Sequence, residues 1–174
     1  MNRTQLLGFG SAAAAFSPLL LSSFAAAAVT ADPADIATLN AAIELERAGI
    51  KAYVDAAGTK LLSPGILAVA AGFIADHTAH RDALIGAVRA AGATPSPATA
   101  HLAYPPLASE KDIIAFAIVV EKKAAATYLS VVPDLKDRNL AGIAAAILGV
   151  ETTHVALLEN ALGVTRTYPT GFVA

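Results

Sequence analysis

Residues 148–160 read LGVETTHVALLEN, and the fold turns on how this stretch is interpreted. On a helix, positions three apart lie on one face, about one turn from each other. Glu151 and His154 therefore point at the same spot, as a carboxylate and an imidazole on one metal ion must. A lone Glu-x-x-His arises by chance on many helical surfaces. Its weight comes from a second copy of its surroundings earlier in the chain.

IELERAGIKAY (residues 43–53) aligns with IVVEKKAAATY (residues 118–128) at one constant offset. Ile43 falls on Ile118, Glu46 on Glu121 and Tyr53 on Tyr128. A second pair follows each Glu: FIADHTAHRDAL (residues 73–84) aligns with ILGVETTHVALL (residues 147–158). There His80 falls on His154, Phe73 on Ile147 and Leu84 on Leu158. His77 falls on Glu151, so the first copy reads His-x-x-His where the second reads Glu-x-x-His. The chain is thus a repeated helix pair.

This pattern resembles the ferritin-like superfamily. Its di-iron members draw a Glu from each of two helices and a Glu-x-x-His from each of the other two, all facing into a bundle. More narrowly, the chain is similar to exported bacterial ferritin-like domain proteins over roughly residues 35–163. The resemblance implies an all-α fold, a ferritin-like four-helix bundle with one long crossover between helices 2 and 3. Carried over residue by residue, it implies metal ligands at Glu46, His80, Glu121, Glu151 and His154, with His77 where the family pattern has a Glu.

Composition sets the outer bounds. With 56% of 174 residues hydrophobic, the chain has enough for one domain with a sizeable core after any leader. Much of that hydrophobicity is alanine, the best helix former. The absence of cysteine excludes structural disulfides, thiolate zinc sites, iron–sulfur clusters and Cys nucleophiles. A formal charge of −2, with basic residues scattered among acids, offers no basic patch, so nucleic acid is not an expected partner.

Residues 1–28 read as a secretory signal peptide. Arg3 precedes an uncharged run rich in Ser, Leu and Ala that ends in alanines at 25–28. Cleavage after Ala28 would leave residues 29–174 as the bundle domain, in the periplasm or outside the cell. Arg3-Thr4-Gln5-Leu6-Leu7 lacks the second Arg of a twin-arginine signal, so the general secretory route is expected ahead of that one. Retention as an anchor is the alternative, since the run is just long enough to span. After cleavage no stable membrane insertion is expected.

Local signals then place four helices. The first is expected over residues 35–57, with Ile36, Leu39, Ile43, Glu46, Ile50 and Tyr53 inward. Ser63 and Pro64 start the second, which stops at Gly92 and carries Phe73, His77, Leu84 and Val88 inward, with His80 one turn past His77. Residues 93–108, rich in proline, form a link long enough to cross the bundle; His101 in it is given no role. Ser109 to Asp112 reads as a capping box for the third helix, with Ile114, Ile118, Glu121, Ala125 and Tyr128 inward. The fourth is expected over residues 135–162, with Ile143, Ile147, Glu151, His154 and Leu158 inward. The tail VTRTYPTGFVA either packs on the bundle or pairs subunits into a homo-oligomer.

An ionised carboxylate in a core costs several kcal/mol unless it is paired or metal-bound. Lys and Arg are poorly placed to pair with Glu46, Glu121 and Glu151, so a cation is the natural partner. Together with His77, His80 and His154 these acids are expected to form a metal site rather than the polar core of a metal-free bundle. Two divalent ions on three carboxylates and three neutral imidazoles leave one positive charge over. A dinuclear iron or manganese site is expected ahead of a single Fe, Mn or Zn ion, all of which suit these donors. Tyr53 and Tyr128 are expected to fill the core rather than bond to the site, and Asp76 to lie at the surface rather than partner an imidazole. The expected function is that of an exported ferritin-like metal-binding protein with ferroxidase- or peroxidase-like redox activity. The alternative is a metal-free periplasmic bundle with a degenerate site and a stress or interaction role.

Overall fold

A computed structural model describes residues 32–98 and 103–164. The expected signal peptide, His101 and the tail from residue 165 lie outside the described residues. Among the described residues there are four helices and no strands: α1 (Pro33–Gly58), α2 (Pro64–Ala90), α3 (Glu110–Val131) and α4 (Arg138–Ala161).

Each helix starts where a short polar side chain or a proline relieves the orphan donors of its first turn. Asp32 caps α1 by accepting from the Ala34 N–H, with Pro33 in the first turn. The start thus lies earlier than the Asp35 expected from sequence. Asp35 is instead buried and accepts from the backbone N–H groups of Lys136 (3.1 Å) and Asp137 (2.9 Å), tying the beginning of α1 to the α3–α4 turn. Ser109 caps α3 by accepting from the Asp112 N–H, and Asp137 caps α4 from Asn139 and Leu140. α4 therefore begins three residues after Leu135, which packs into the core from the turn. Gly92 and Gly163 close α2 and α4 in the left-handed conformation that glycine adopts without a Cβ penalty.

Side-chain pairings give the helix directions. Glu46 of α1 meets Tyr128 of α3, while Tyr53, two turns further along α1, meets Glu121, two turns earlier on α3. The two helices are antiparallel neighbours. α1 and α2 are antiparallel as well, with Glu46 at His77 and Tyr53 at Phe73. α2 and α3 must then point the same way, so their link has to travel the length of the bundle. It runs along α1: the Ser96 N–H bonds to Asn40 (2.7 Å), and the Tyr104 hydroxyl reaches Asp55 (2.8 Å). Those contacts are spread over about 22 Å of α1 at its usual rise of about 1.5 Å per residue. This is the long crossover.

The core has two apolar halves. One gathers Leu39, Ile43, Leu84, Val88, Leu140 and Ile147; the other gathers Tyr53, Phe73, Ile114, Ala117 and Leu158. Between them lies a polar layer.

Candidate metal centre

Glu46, His77, His80, Glu121, Glu151 and His154 all meet in that layer, each 4% exposed or less. One residue comes from α1, two from α2, one from α3 and two from α4. Three-residue spacing on α2 and on α4 puts each pair on one face, about a turn apart.

They form two four-residue cages. The first comprises Glu46, His77, His80 and Glu151. Its donor atoms stand close together: His77 Nδ1 to Glu46 Oε2 2.8 Å, His80 Nδ1 to Glu151 Oε1 3.2 Å, His80 Nδ1 to Glu46 Oε2 3.4 Å, and His77 Nδ1 to Glu151 Oε1 3.7 Å. A tetrahedron of metal–ligand bonds about 2.0 Å long has edges of about 3.3 Å, so these separations bracket what one ion requires. The second cage comprises His77, Glu121, Glu151 and His154. His77 Nε2 is 3.4 Å from Glu121 Oε1, while His154 Nδ1 is 3.4 Å from Glu121 Oε2 and 3.7 Å from Glu151 Oε2.

Buried polar atoms normally have hydrogen-bond partners. Here His80 Nδ1 and both oxygens of Glu151 have none. These orphans face the cages, and no Lys or Arg pairs with the three acids among the described residues. The donor set fits a divalent cation.

The electrostatics of the layer rest on protons. Burial disfavours the Glu46 carboxylate, but the hydrogen bond to His77 and the nearby His80 imidazole outweigh it and hold its pKa at about 2. Burial likewise opposes ionisation of Glu121, and His154 and His77 hold it well below the usual range. Glu151, with burial uppermost, is pushed up. Burial works against charge on the imidazoles, yet Glu121 and Glu46 raise His77 to about 10. Asp76 and Glu121 raise His154 to about 11, again against burial. His80 is raised against burial by Glu151 and Glu46. Imidazole protons thus offset the carboxylates, and a metal ion would displace them.

Two expectations about the surroundings need correction. Tyr53 and Tyr128 are buried, but they do more than fill space. Each donates to the Glu of the other helix pair, Tyr53 to Glu121 and Tyr128 to Glu46. Spacing within one helix does not reveal this, because the partner lies across the bundle. Asp76, expected at the surface, keeps a 44% exposed side chain and also sits 3.1 Å from His154 Nε2. It therefore fixes the ring so that Nδ1 faces the cage.

Gly49 is a residue the sequence reading passed over. It takes the inward place expected for Ile50, and a Cβ there would stand 3.1 Å from the His77 ring. Its clue was its position three residues after Glu46 on the same face. A cavity of about 300 Å³ between α1 and α3 reaches Glu46 and His77 past Gly49, with Phe116 and Val120 among its walls and Lys123 also lining it.

The ferritin-like domain family matches residues 34–164. No curated protein matches the chain significantly. Among 40 solved chains that do match is a conserved hypothetical protein from Mycobacterium tuberculosis. It is 24% identical, with a TM-score of 0.69, over 80% of this chain and 97% of that one. At that identity the likeness is one of fold.

Proposed function

Since this chain belongs to the ferritin-like domain family, we propose that it is an exported metal-binding protein whose core holds iron or manganese for redox chemistry. Zinc is the redox-silent alternative for the same donors. The observation that carries this is the pair of buried cages with unsatisfied His80 Nδ1 and Glu151 oxygens, and with no Lys or Arg partner for the acids among the described residues. Export is supported by the leader-like residues 1–28.

Glu46, His80 and the first oxygen of Glu151 would hold one ion, and Glu121, His154 and the second oxygen of Glu151 another. Iron or manganese bound there would supply one-electron chemistry toward oxygen or peroxide. The protein's own part is to bury the site, orient the ligands and control protons. Asp76 holds the His154 ring, and Tyr53 and Tyr128 donate to Oε1 of Glu121 and Oε1 of Glu46, keeping a phenolic proton beside each carboxylate. The cavity beside Gly49 gives a small oxidant an apolar path to Glu46 and His77.

The test is elemental analysis of the chain expressed with its leader intact, beside Glu121→Ala and His154→Ala. Iron or manganese in the wild type and its loss in both variants is the expected result. Wild-type protein that stays metal-free after reconstitution with iron, manganese and zinc would move the assignment to a structural bundle. Retention of the leader on the purified, membrane-bound chain would overturn cleavage and release.

A further inference from the structure

We propose that His77 is a bridging ligand, with Nδ1 on an ion held by Glu46 and His80 and Nε2 on a second ion held by Glu121 and His154. The inference rests on the metal-binding assignment above and concerns the one position where this chain departs from the expected carboxylate.

Position 77 is shared by both cages, as is Glu151. Glu151 divides its carboxylate between them: Oε1 lies 3.2 Å from His80 Nδ1, and Oε2 lies 3.7 Å from His154 Nδ1. His77 is divided in the same way. Its Nδ1 is 2.8 Å from Glu46 and its Nε2 is 3.4 Å from Glu121, so the two ring nitrogens address opposite cages. The ring cannot easily turn away from this pose. One face lies against Gly49, where even a methyl group would press on it at 3.1 Å, and Tyr53 stacks on it with centroids 5.7 Å apart.

Charge favours the bridge. With three neutral imidazoles, two divalent ions would carry one net positive charge into a buried layer, at high desolvation cost. A ring ligating through both nitrogens releases its N–H protons to solvent and becomes an imidazolate. Three carboxylates and one imidazolate then carry four negative charges, which match two divalent ions. The His in place of Glu thus preserves neutrality while changing the span. Two metal–nitrogen bonds of about 2.0 Å on either side of an imidazole place the ions about 6 Å apart. Carboxylate-bridged pairs sit at about 3.5–4 Å.

The test loads the metal-depleted chain with zinc alone and counts ions by elemental analysis. Anomalous diffraction at the zinc edge then locates them. Two zinc ions per chain about 6 Å apart, with the residue 77 ring between them, is the expected result. His77→Glu should keep two ions and draw them to about 3.5–4 Å. His77→Gln, similar in size but unable to bridge, should bind at most one. Wild-type ions at about 3.5–4 Å, or a single ion touching one ring nitrogen, would overturn the bridge and leave the metal-binding assignment standing. Failure to bind zinc, iron or manganese at all would overturn that assignment as well.

Discussion

The hydroxyl of Tyr128 on α3 donates to the carboxylate of Glu46 on α1, and Tyr53 on α1 returns the same contact to Glu121 on α3. The two halves of the duplicated chain are therefore interlocked at the polar layer, each half's tyrosine holding the other half's acid. All four groups in this lock are buried, so neither carboxylate has water to fall back on.

Tyr128→Phe and Tyr53→Phe should each destabilise the metal-free protein by about 1.5–3 kcal/mol, the range for a hydrogen bond to a charged group. Chemical denaturation would show it. A loss below about 0.5 kcal/mol would mean that the phenols only fill space.

Stability should respond to pH in opposite ways with and without metal. The folded-state values of His77 and His154, about 10 and 11, lie above the ordinary 6.5. Their contribution is fully present below pH 6.5 and is lost as pH rises through those values. Glu46, held at about 2 against 4.5, contributes above pH 4.5 and loses that contribution as pH falls toward 2. The metal-free protein should thus be most stable between these limits and weaken from pH 6.5 to 9. Metal binding must displace the imidazole protons, so the melting-temperature gain on loading should widen over the same range. A gain that shrinks with rising pH would count against the cages as the binding site.

Asp76→Asn should lower metal affinity by about 10–100-fold, because the amide holds the His154 ring less firmly than the carboxylate does. Its effect on the metal-free protein should stay below about 1 kcal/mol, since the Asp76 side chain is 44% exposed. Competitive chelator titration separates the two effects. Unchanged affinity would remove Asp76 from the site.

Gly49→Ala should cost about 1–3 kcal/mol and weaken metal binding together. The added methyl meets the His77 ring at 3.1 Å, and hydrogen bonds to Glu46 and Glu121 resist its displacement. An alanine variant as stable as wild type, with full metal content, would show that the ring yields freely.

Asp35→Ala serves as the contrast. It removes the acceptor of two backbone N–H groups in the α3–α4 turn and should cost about 1–3 kcal/mol while leaving metal content unchanged. Metal analysis and denaturation on one preparation check both halves of that statement.

The four helices, most of their inward positions and the gathering of Glu46, His77, His80, Glu121, Glu151 and His154 were legible from sequence, while Gly49 and Ala117 took the buried places expected for Ile50 and Ile118. Helix geometry turns spacing into face, and a duplicated spacing repeats the face. What spacing cannot carry is which face lies opposite. The start of α1 at Pro33 freed Asp35 to cap a turn about a hundred residues away, a contact with no local signature. The crossover along α1, the antiparallel register of α1 with α3, and hence the exchange of Tyr53 and Tyr128 between the two acids arise only when the helices pack. So does the pose of His77, with one nitrogen toward each cage, because a ring's direction is set by its neighbours on other helices. The sequence alone determined which residues share a level of the bundle. The tertiary structure decided which atoms of those residues meet, since that depends on contacts between segments far apart in the chain.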